Sequence, residues 1–497
     1  DCSVQIRKVR LRPRTDEERR QAAEREERRK SKIALAESIE SYLATDFQSE
    51  IREVAVDDTE VSIRGAVSSS ERGFTSWRLR EVLPHESLSE TNAEYSIPIE
   101  SPSNFHLHLP RAAESRDRLY SAWRIEGTTD GARWRPVSAR RYPDTISLTA
   151  HRGAHPRPLP GNQKGLGGID PRAPLDELSE LGVTAITINL VLNRFLSETP
   201  GRGREPIAVT GPEVYFDPSA FQYYDRVIDF ARRHSIVVSA IVLIPQSKNA
   251  NRRSPLIHPD SDGGIYTMPD LTSKRGSRIY AFVMQRIADR YADPSRSPGA
   301  ITNWIAHNEV DFHTVWTNMG QQPRSVYIET YYRSLRIIAS AARRRNPHAR
   351  VFVSLTHHWT VPDDGLWRRL SPRETLDSIQ RYSRLEGDFP WGVAYHPYPQ
   401  SLFAKDAWHD AKAKEDLETP LITIQNIDVL VQFLDSPKMH DKSGKIRPVL
   451  LSEQGYHSAS YSDEDQASQA GSLWYAMKRI RDKSWIESFH YHRWIDH

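Results

Sequence analysis

The sequence predicts a (β/α)8 barrel preceded by an antiparallel β-sandwich and a charged N-terminal helix. Three changes of texture along the chain predict it. Beyond Tyr142, eight apolar runs of strand length alternate with seven amphipathic helical segments, the order of a parallel barrel. Between Phe47 and Tyr142 the runs are shorter, alternate in polarity and are separated by turn-prone residues, as in a sandwich of about 100 residues. Ahead of both, Thr15 to Leu43 is dense in charged helix formers. The expected division is residues 1–46 as a helical segment, 47–142 as an accessory domain and 143–497 as the barrel.

In the first segment only Ile33, Leu35, Ile39 and Leu43 are apolar at helical spacing. Its early turns therefore read as a solvated helix or tail and its last turns as the part that docks. The sandwich strands are read at Val54 to Val56, Glu60 to Arg64, Trp77 to Arg80, Tyr95 to Ile99, Phe105 to Leu109 and Leu119 to Ile125. Trp77, Trp123 and Trp134 serve either as core or as an exposed platform for carbohydrate.

The barrel strands are read at Lys164 to Ile169, Val183 to Leu192, Val237 to Ile244, Ile301 to Val310, Arg350 to Leu355, Trp391 to Tyr395, Val449 to Ser452 and Ile486 to Tyr491. Helices are read between them at Pro174 to Leu181, Pro218 to Arg233, Ser273 to Tyr291, Ser325 to Arg345, Pro372 to Leu385, Asn426 to Leu434 and Asp465 to Lys483. No eighth helix is legible, so either sequence past His497 or the amphipathic end of the N-terminal helix is expected to close that side. Two long connections, Ser197 to Phe216 and Gln246 to Thr272, follow strand ends and should overhang the carboxyl face, where barrel sites are built. Asp260-Ser261-Asp262-Gly263, within the second, is a fragment of a calcium loop and reads as a surface turn.

Composition narrows the function classes. The chain is 38% hydrophobic, and no apolar run approaches the roughly 18 residues of a membrane span. A net charge of +3 from 68 basic and 65 acidic residues gives no reason to expect a nucleic-acid partner. The basic residues are mostly arginine, which suits an anionic substrate or ordinary surface ion pairing. The single cysteine, Cys2, excludes an internal disulfide framework and a cysteine metal site. No cofactor motif is present, and nothing in the sequence speaks to oligomeric state. A chain beginning Asp-Cys looks processed, so export is expected although no signal peptide is visible.

Chemistry is read at two strand ends. Ile301 to Asp311 (ITNWIAHNEVD) and Arg447 to Gly455 (RPVLLSEQG) are apolar strands that end in polar clusters, each delivering one glutamate, Glu309 or Glu453. Cleaving a glycosidic bond needs a proton on the departing oxygen and a nucleophile or activated water on the anomeric carbon, hence facing carboxyl groups. A separation of about 5 to 5.5 Å implies retention of anomeric configuration, and roughly 6.5 to 9.5 Å implies inversion. Asp311, on the same side as Glu309 if the strand continues, either raises its pKa, binds sugar hydroxyls or caps the following segment. His357, His358 and Trp359 end strand five, where one histidine is expected to line the cleft while the others pack. His396-Pro397-Tyr398-Pro399 ends strand six, as working side chains or as a rigid turn. Trp304 and Trp316 are read as packing.

Asn308-Glu309 on strand four, Glu453 on strand seven, His396 and Tyr398 on strand six and Trp494 after strand eight together resemble the clan A retaining glycoside hydrolases. The resemblance covers Thr145 to His497 and implies a carbohydrate substrate, Glu309 as acid/base and Glu453 as nucleophile. It further implies that Asn308 contacts the sugar 2-hydroxyl, Tyr398 orients the nucleophile and Trp494 forms a stacking floor. The clan's strand-two arginine has one candidate here, Arg194. The whole chain also resembles a bacterial group of glycosidase-like proteins carried as a domain of unknown function, which implies no particular sugar.

Two other classes compete. A metal-dependent barrel hydrolase would use His357 or His358 with His396 and Asp496, but the His-x-His expected on the first barrel strand is absent: His106-x-His108 lies in the sandwich and His490-x-His492 on the last strand. The other is a carbohydrate-binding barrel without catalysis, which would bind sugar with or without Glu309.

Overall fold

The structure, a computed structural model, describes residues 15–71, 73–88, 95–113, 116–247, 254–360 and 370–494. Cys2 and Asp496 lie outside the described residues. Thr15 starts α1 (Asp16–Ala44) with a capping box: its hydroxyl accepts from the Glu18 N–H while the Glu18 carboxylate accepts from the Thr15 N–H at 2.8 Å. Only Ile39 of this helix is buried, and the early turns are largely exposed.

Two four-stranded sheets follow. With β1 (Glu50–Val56), β2 (Glu60–Ala66), β3 (Ser76–Val82), β4 (Ser96–Pro98), β5 (Phe105–Pro110), β6 (Ala122–Thr128), β7 (Trp134–Pro136) and β8 (Thr145–Ile146), their orders are β8-β1-β2-β5 and β4-β3-β6-β7. All pairings are antiparallel except β1 with β8, a strand beyond Tyr142 that the sequence had not offered. Alternation sends Val54, Val56, Val61, Ile63, Leu79, Trp123 and Ile125 into the apolar core, so Trp123 is no exposed platform. Trp134 lies beneath the guanidinium of Arg78.

The opposite face of β3 and β6 is buried as well, under Arg78, Arg80, Arg124, Glu86 and Glu126. Glu126 meets Arg78 and Arg124 at 2.6 Å each. A good part of the arginine excess is thus spent on internal ion pairs as well as on surface ones.

The barrel is closed and wholly parallel: β9 (Lys164–Leu166), β10 (Ala185–Val191), β11 (Val237–Leu243), β12 (Asn303–Ala306), β13 (Arg350–Leu355), β14 (Trp391–Tyr395), β15 (Val449–Gln454) and β16 (Ile486–Tyr491), with β16 pairing back to β9. The helices after successive strands are α2 (Asp176–Glu180), α3 (Phe221–Arg233), α4 (Lys274–Arg290), a short α5 (His313–Trp316) with α6 (Arg324–Arg343), α7 (Pro372–Glu386), α8 (Asp428–Leu434) and α9 (Asp463–Ile480). Ile241, Leu243, Ile305, Phe352, Ala394 and Leu450 fill the interior as one layer. The amino end is plugged by charge: Glu487 receives Arg157 and Arg350, and Arg350 continues to Asn303 and Ser239.

Two expectations need correction. The fourth strand ends at Ala306, not Val310, because His307 and Glu309 take left-handed backbone angles (φ +64° and +38°) that leave the ladder. The N-terminal helix does not close the side after β16. It packs along α6, held by Lys32 to Asp260 and by the Tyr42 hydroxyl donating to Glu386 at 2.7 Å. That glutamate also pairs with Arg140 at 2.8 Å, and Arg140 reaches Glu329 of α6 at 2.9 Å. Among the described residues no helix is long and apolar enough to cross a membrane.

Candidate active site

The carboxyl ends of β12 to β16 converge above the interior layer. At the tip of β12 the backbone N–H of Glu309 donates to Ser354 Oγ of β13 at 2.9 Å, which aims its carboxylate into the mouth. Glu453 arrives by a different irregularity. Leu450 lies in the interior layer, so strict alternation would point Ser452 inward and Glu453 away. The pairing of β15 with β16 shifts register between Leu451 and Gln454, and this slip turns Glu453 toward the mouth.

The two glutamates meet around His396. Its Nδ1 bonds Glu309 Oε1 at 2.9 Å and its Nε2 bonds Ser452 Oγ at 3.0 Å. One oxygen of each glutamate and one ring nitrogen of His396 all lie within 4.8 Å of one another. Tyr398 donates its hydroxyl to Glu453 Oε1 at 3.1 Å, and His492 Nε2 stands 4.0 Å from the same oxygen. Burial by itself depresses the His396 imidazole, but the charges of Glu453 and Glu309, with the Glu309 hydrogen bond, carry it above its usual value. Burial, and then Glu453, push the Tyr398 phenol up. Burial pulls His492 below its usual value against the attraction of Glu453.

The other expected residues are distributed unevenly. Asn308 is 8% exposed, and its Oδ1 is buried without a hydrogen-bond partner, an acceptor left open beside the pair. Asp311 is only 2% exposed, and its carboxylate takes both the N–H and the hydroxyl of Thr356. Direct binding of sugar hydroxyls by Asp311 is therefore corrected to a structural tether between the tips of β12 and β13. Burial raises its pKa to about 7 against the Thr356 hydrogen bonds, with the charge of Glu309 adding to the rise.

His357 and His358 stack on each other at 4.3 Å at the end of β13, both half-buried. Arg194 is exposed, with its guanidinium 4.5 Å from the ring centre of Tyr223 on α3, and it touches neither glutamate. Trp494 turns its indole N–H to Glu177 of α2 at 3.0 Å. The strand-eight side chain beside Glu453 is His492.

Residues that the sequence reading did not assign to the glutamate site complete the mouth. His492 sits in a notch of glycines: a Cβ on Gly455 would stand 2.5 Å from its carbonyl oxygen, and one on Gly167 would stand 3.4 Å from its Nδ1. Its position two residues past His490 on the last strand was the available signal. Tyr266, from the loop after β11, caps the interior layer, senses the charge of Glu453 and stacks on Trp316. A separate cavity of about 400 Å³ between the sandwich and α4, lined by Leu83, Tyr120, Ile207 and Phe282 among others, contains none of these residues.

Residues 156–497 match a family of unknown function (DUF5722). No curated protein matches the chain. Among solved structures, a glucosidase from Croceicoccus marinus is 14% identical with a TM-score of 0.41, covering 68% of this chain and 61% of its own. A calcium-binding mutant of Bacteroides uniformis beta-glucuronidase 2 is 11% identical with a TM-score of 0.37, covering 91% of this chain and 46% of its own. The endo-1,4-beta-D-mannanase of Thermotoga petrophila RKU-1 is 12% identical with a TM-score of 0.41, covering 66% and 87%. This chain thus spans less than two-thirds of the first two.

Proposed function

The chain belongs to the family of unknown function DUF5722, and for it we propose a retaining glycoside hydrolase with Glu309 as acid/base and Glu453 as nucleophile. One observation carries the reading: an oxygen of each glutamate lies within 4.8 Å of the other, with His396 between them. So close an approach of one oxygen to another supports the roughly 5 to 5.5 Å carboxyl spacing of a direct displacement over the roughly 6.5 to 9.5 Å of inversion.

In this reading Glu453, its carboxylate steered by the Tyr398 hydroxyl, attacks the anomeric carbon while Glu309 protonates the departing oxygen. His396 and Glu309 share a hydrogen bond at 2.9 Å and hold that proton as a unit. Glu309 then takes a proton from the water that hydrolyses the glycosyl-enzyme. The unpartnered Oδ1 of Asn308 is available to a sugar hydroxyl. The substrate is a carbohydrate of undefined sugar.

The test is trapping. A panel of 2-deoxy-2-fluoro glycosides should leave a sugar on the peptide carrying Glu453, and proton spectra of fresh product should show retained configuration. Inverted product, or label on another residue, overturns the assignment. Replacing Glu309 by Ala should spare substrates with activated leaving groups, which need little protonation to depart.

One observation favours a second reading: Glu309, His396 and Glu453 are spaced to hold a divalent cation. Both ring nitrogens of His396 are already committed to Glu309 and Ser452, so a cation would have to displace one of those bonds. Activity lost to chelator and restored by zinc would select this reading over the first. A binding barrel without catalysis would show equal oligosaccharide affinity in wild type and Glu309→Gln with turnover in neither.

A further inference from the structure

We infer that α6 is the element that holds the proton donor in register, and that Tyr327, Tyr331 and Ser334 are positioning residues for Glu309. The inference rests on reading Glu309 as the acid/base. These side chains follow one another at i, i+4 and i+7, so they share one face of the helix, and all three are buried.

Each holds a different point of the tip of β12. The Tyr331 hydroxyl donates to the carbonyl of Ala306 at 3.1 Å and the Tyr327 hydroxyl to the carbonyl of Val310 at 3.1 Å. Ser334 Oγ bonds His307 Nε2 at 2.8 Å. The attachments therefore bracket Glu309 on both sides without touching its carboxylate.

The tip needs them because the ladder stops short of it, and on the β13 side only side-chain bonds, from Glu309 to Ser354 and between Asp311 and Thr356, hold it. Pairing of β12 with β13 ends at Ala306 and Val353, and beyond that point His307 and Glu309 are left-handed. A non-glycine residue keeps such a conformation only where its surroundings over-determine it. Tyr331 adds a donor at the carbonyl of the last paired residue, and Tyr327 supplies one to the carbonyl of Val310, beyond the ladder.

The direction of the remaining bonds follows from chemistry. His307 Nδ1 faces the carbonyl of Val242 at 3.1 Å, so Nδ1 carries the proton and Nε2 accepts. Burial holds the imidazole neutral, with its pKa pulled down to about 4. Ser334 therefore donates to His307 and receives the Tyr280 hydroxyl of α4 at 2.9 Å. This chain of donors from two helices fixes the imidazole, and through it the backbone one residue before Asn308. The opposite side of α6 is anchored to the sandwich by Arg140 and Glu329, so the helix is a fixed support.

Removing hydroxyls without removing rings tests this. The double variant Tyr331→Phe with Ser334→Ala keeps the packed volume, and Tyr331→Phe with Ser334→Thr returns one hydroxyl. The first measurement needs no substrate: the nitrogen NMR titration of His396, whose Nδ1 reports the Glu309 contact. It should move in the double variant and move back in the Ser334→Thr form. The second compares 2,4-dinitrophenyl and 4-methylphenyl glycosides of whichever sugar the wild type cleaves. Turnover of the poor leaving group should fall roughly 10- to 100-fold while the activated substrate is nearly unaffected.

An unchanged His396 titration, or equal loss on both substrates, overturns the inference. If no glycoside is cleaved by the wild type, the hydrolase reading fails on its own evidence of trapping. The positioning of Glu309 is then decided by the titration alone.

Discussion

His396 stands between the two glutamates, bonded to one and only sensing the charge of the other. Its Nδ1 meets Glu309 at 2.9 Å, while its Nε2 goes to Ser452 and not to the neighbouring Glu453. The ring is completely buried, which alone would lower its pKa, yet the carboxylates reverse the sign. A histidine raised above its unfolded value adds stability that is complete below about pH 6.5 and is lost as pH climbs through the folded value. Glu453→Gln removes the largest of the charge contributions. The imidazole should then titrate lower by NMR and the protein should lose part of its stability near pH 6. If His396 titrates unchanged in Glu453→Gln, the charge coupling across the mouth does not exist.

Asp311 gives the opposite pH signature to an ordinary paired carboxylate. Its folded pKa is raised to about 7 by burial, so between the unfolded value near 4 and the folded one the native state binds more protons than the unfolded state. Stability from this group is therefore full below about pH 4 and falls as pH rises to neutrality, a loss of up to about 4 kcal/mol. Asp311→Asn keeps an acceptor for the Thr356 N–H and carries no charge. Its melting temperature should exceed that of wild type at pH 8, and the gap should close toward pH 4. A gap that is constant with pH would mean that Asp311 is not the titrating group.

Arg140 joins the sandwich, the barrel and the N-terminal helix at one buried point. It is 1% exposed, as are its partners to within a few per cent: Glu329 on α6 and Glu386 on α7, the latter also holding Tyr42. Arg140→Met leaves the buried Glu386 carboxylate without its cation and Glu329 with Arg333 alone, and should cost about 3–5 kcal/mol by denaturant unfolding. Arg140→Met combined with Glu386→Gln should recover part of that loss, because the uncompensated charge is gone. Should the double variant be no more stable than the single one, the loss comes from packing and not from charge.

The barrel was legible because its signal is distributed. Eight buried strands and their intervening helices repeat one pattern, and an error of a residue or two at any end leaves the order intact. The site resisted reading where single residues depart from that pattern. Period-two alternation put Asp311 on the side of Glu309, but left-handed backbone at His307 and Glu309 ended the strand first. Glu453 was placed at the mouth from its position at a strand end, but the register slip that turns it there is announced by no residue type. Buried arginines such as Arg78 and Arg140 look like surface residues in a sequence, because the glutamates they meet are distant in the chain or belong to another domain.

The tip of β16 separates two aromatic candidates. Trp494 was expected beneath the sugar, but its N–H is held by Glu177, whereas His492 stands 4.0 Å from Glu453 within its notch of glycines. An imidazole there stands beside the carboxylate of Glu453, the proposed nucleophile. His492→Ala should therefore lower kcat by roughly 10-fold or more, with a changed pH profile, since a neighbouring titratable group is removed. Trp494→Phe keeps an aromatic ring, though smaller than the indole, and loses the bond to Glu177, so its kcat should stay within about twofold. Gly455→Ala supplies a second route to the same place, because its Cβ collides with the His492 carbonyl and must move that residue. Its kinetic defect should resemble that of His492→Ala in the pH profile as well as in size. A large defect in Trp494→Phe with a silent His492→Ala would return the floor of the site to the tryptophan.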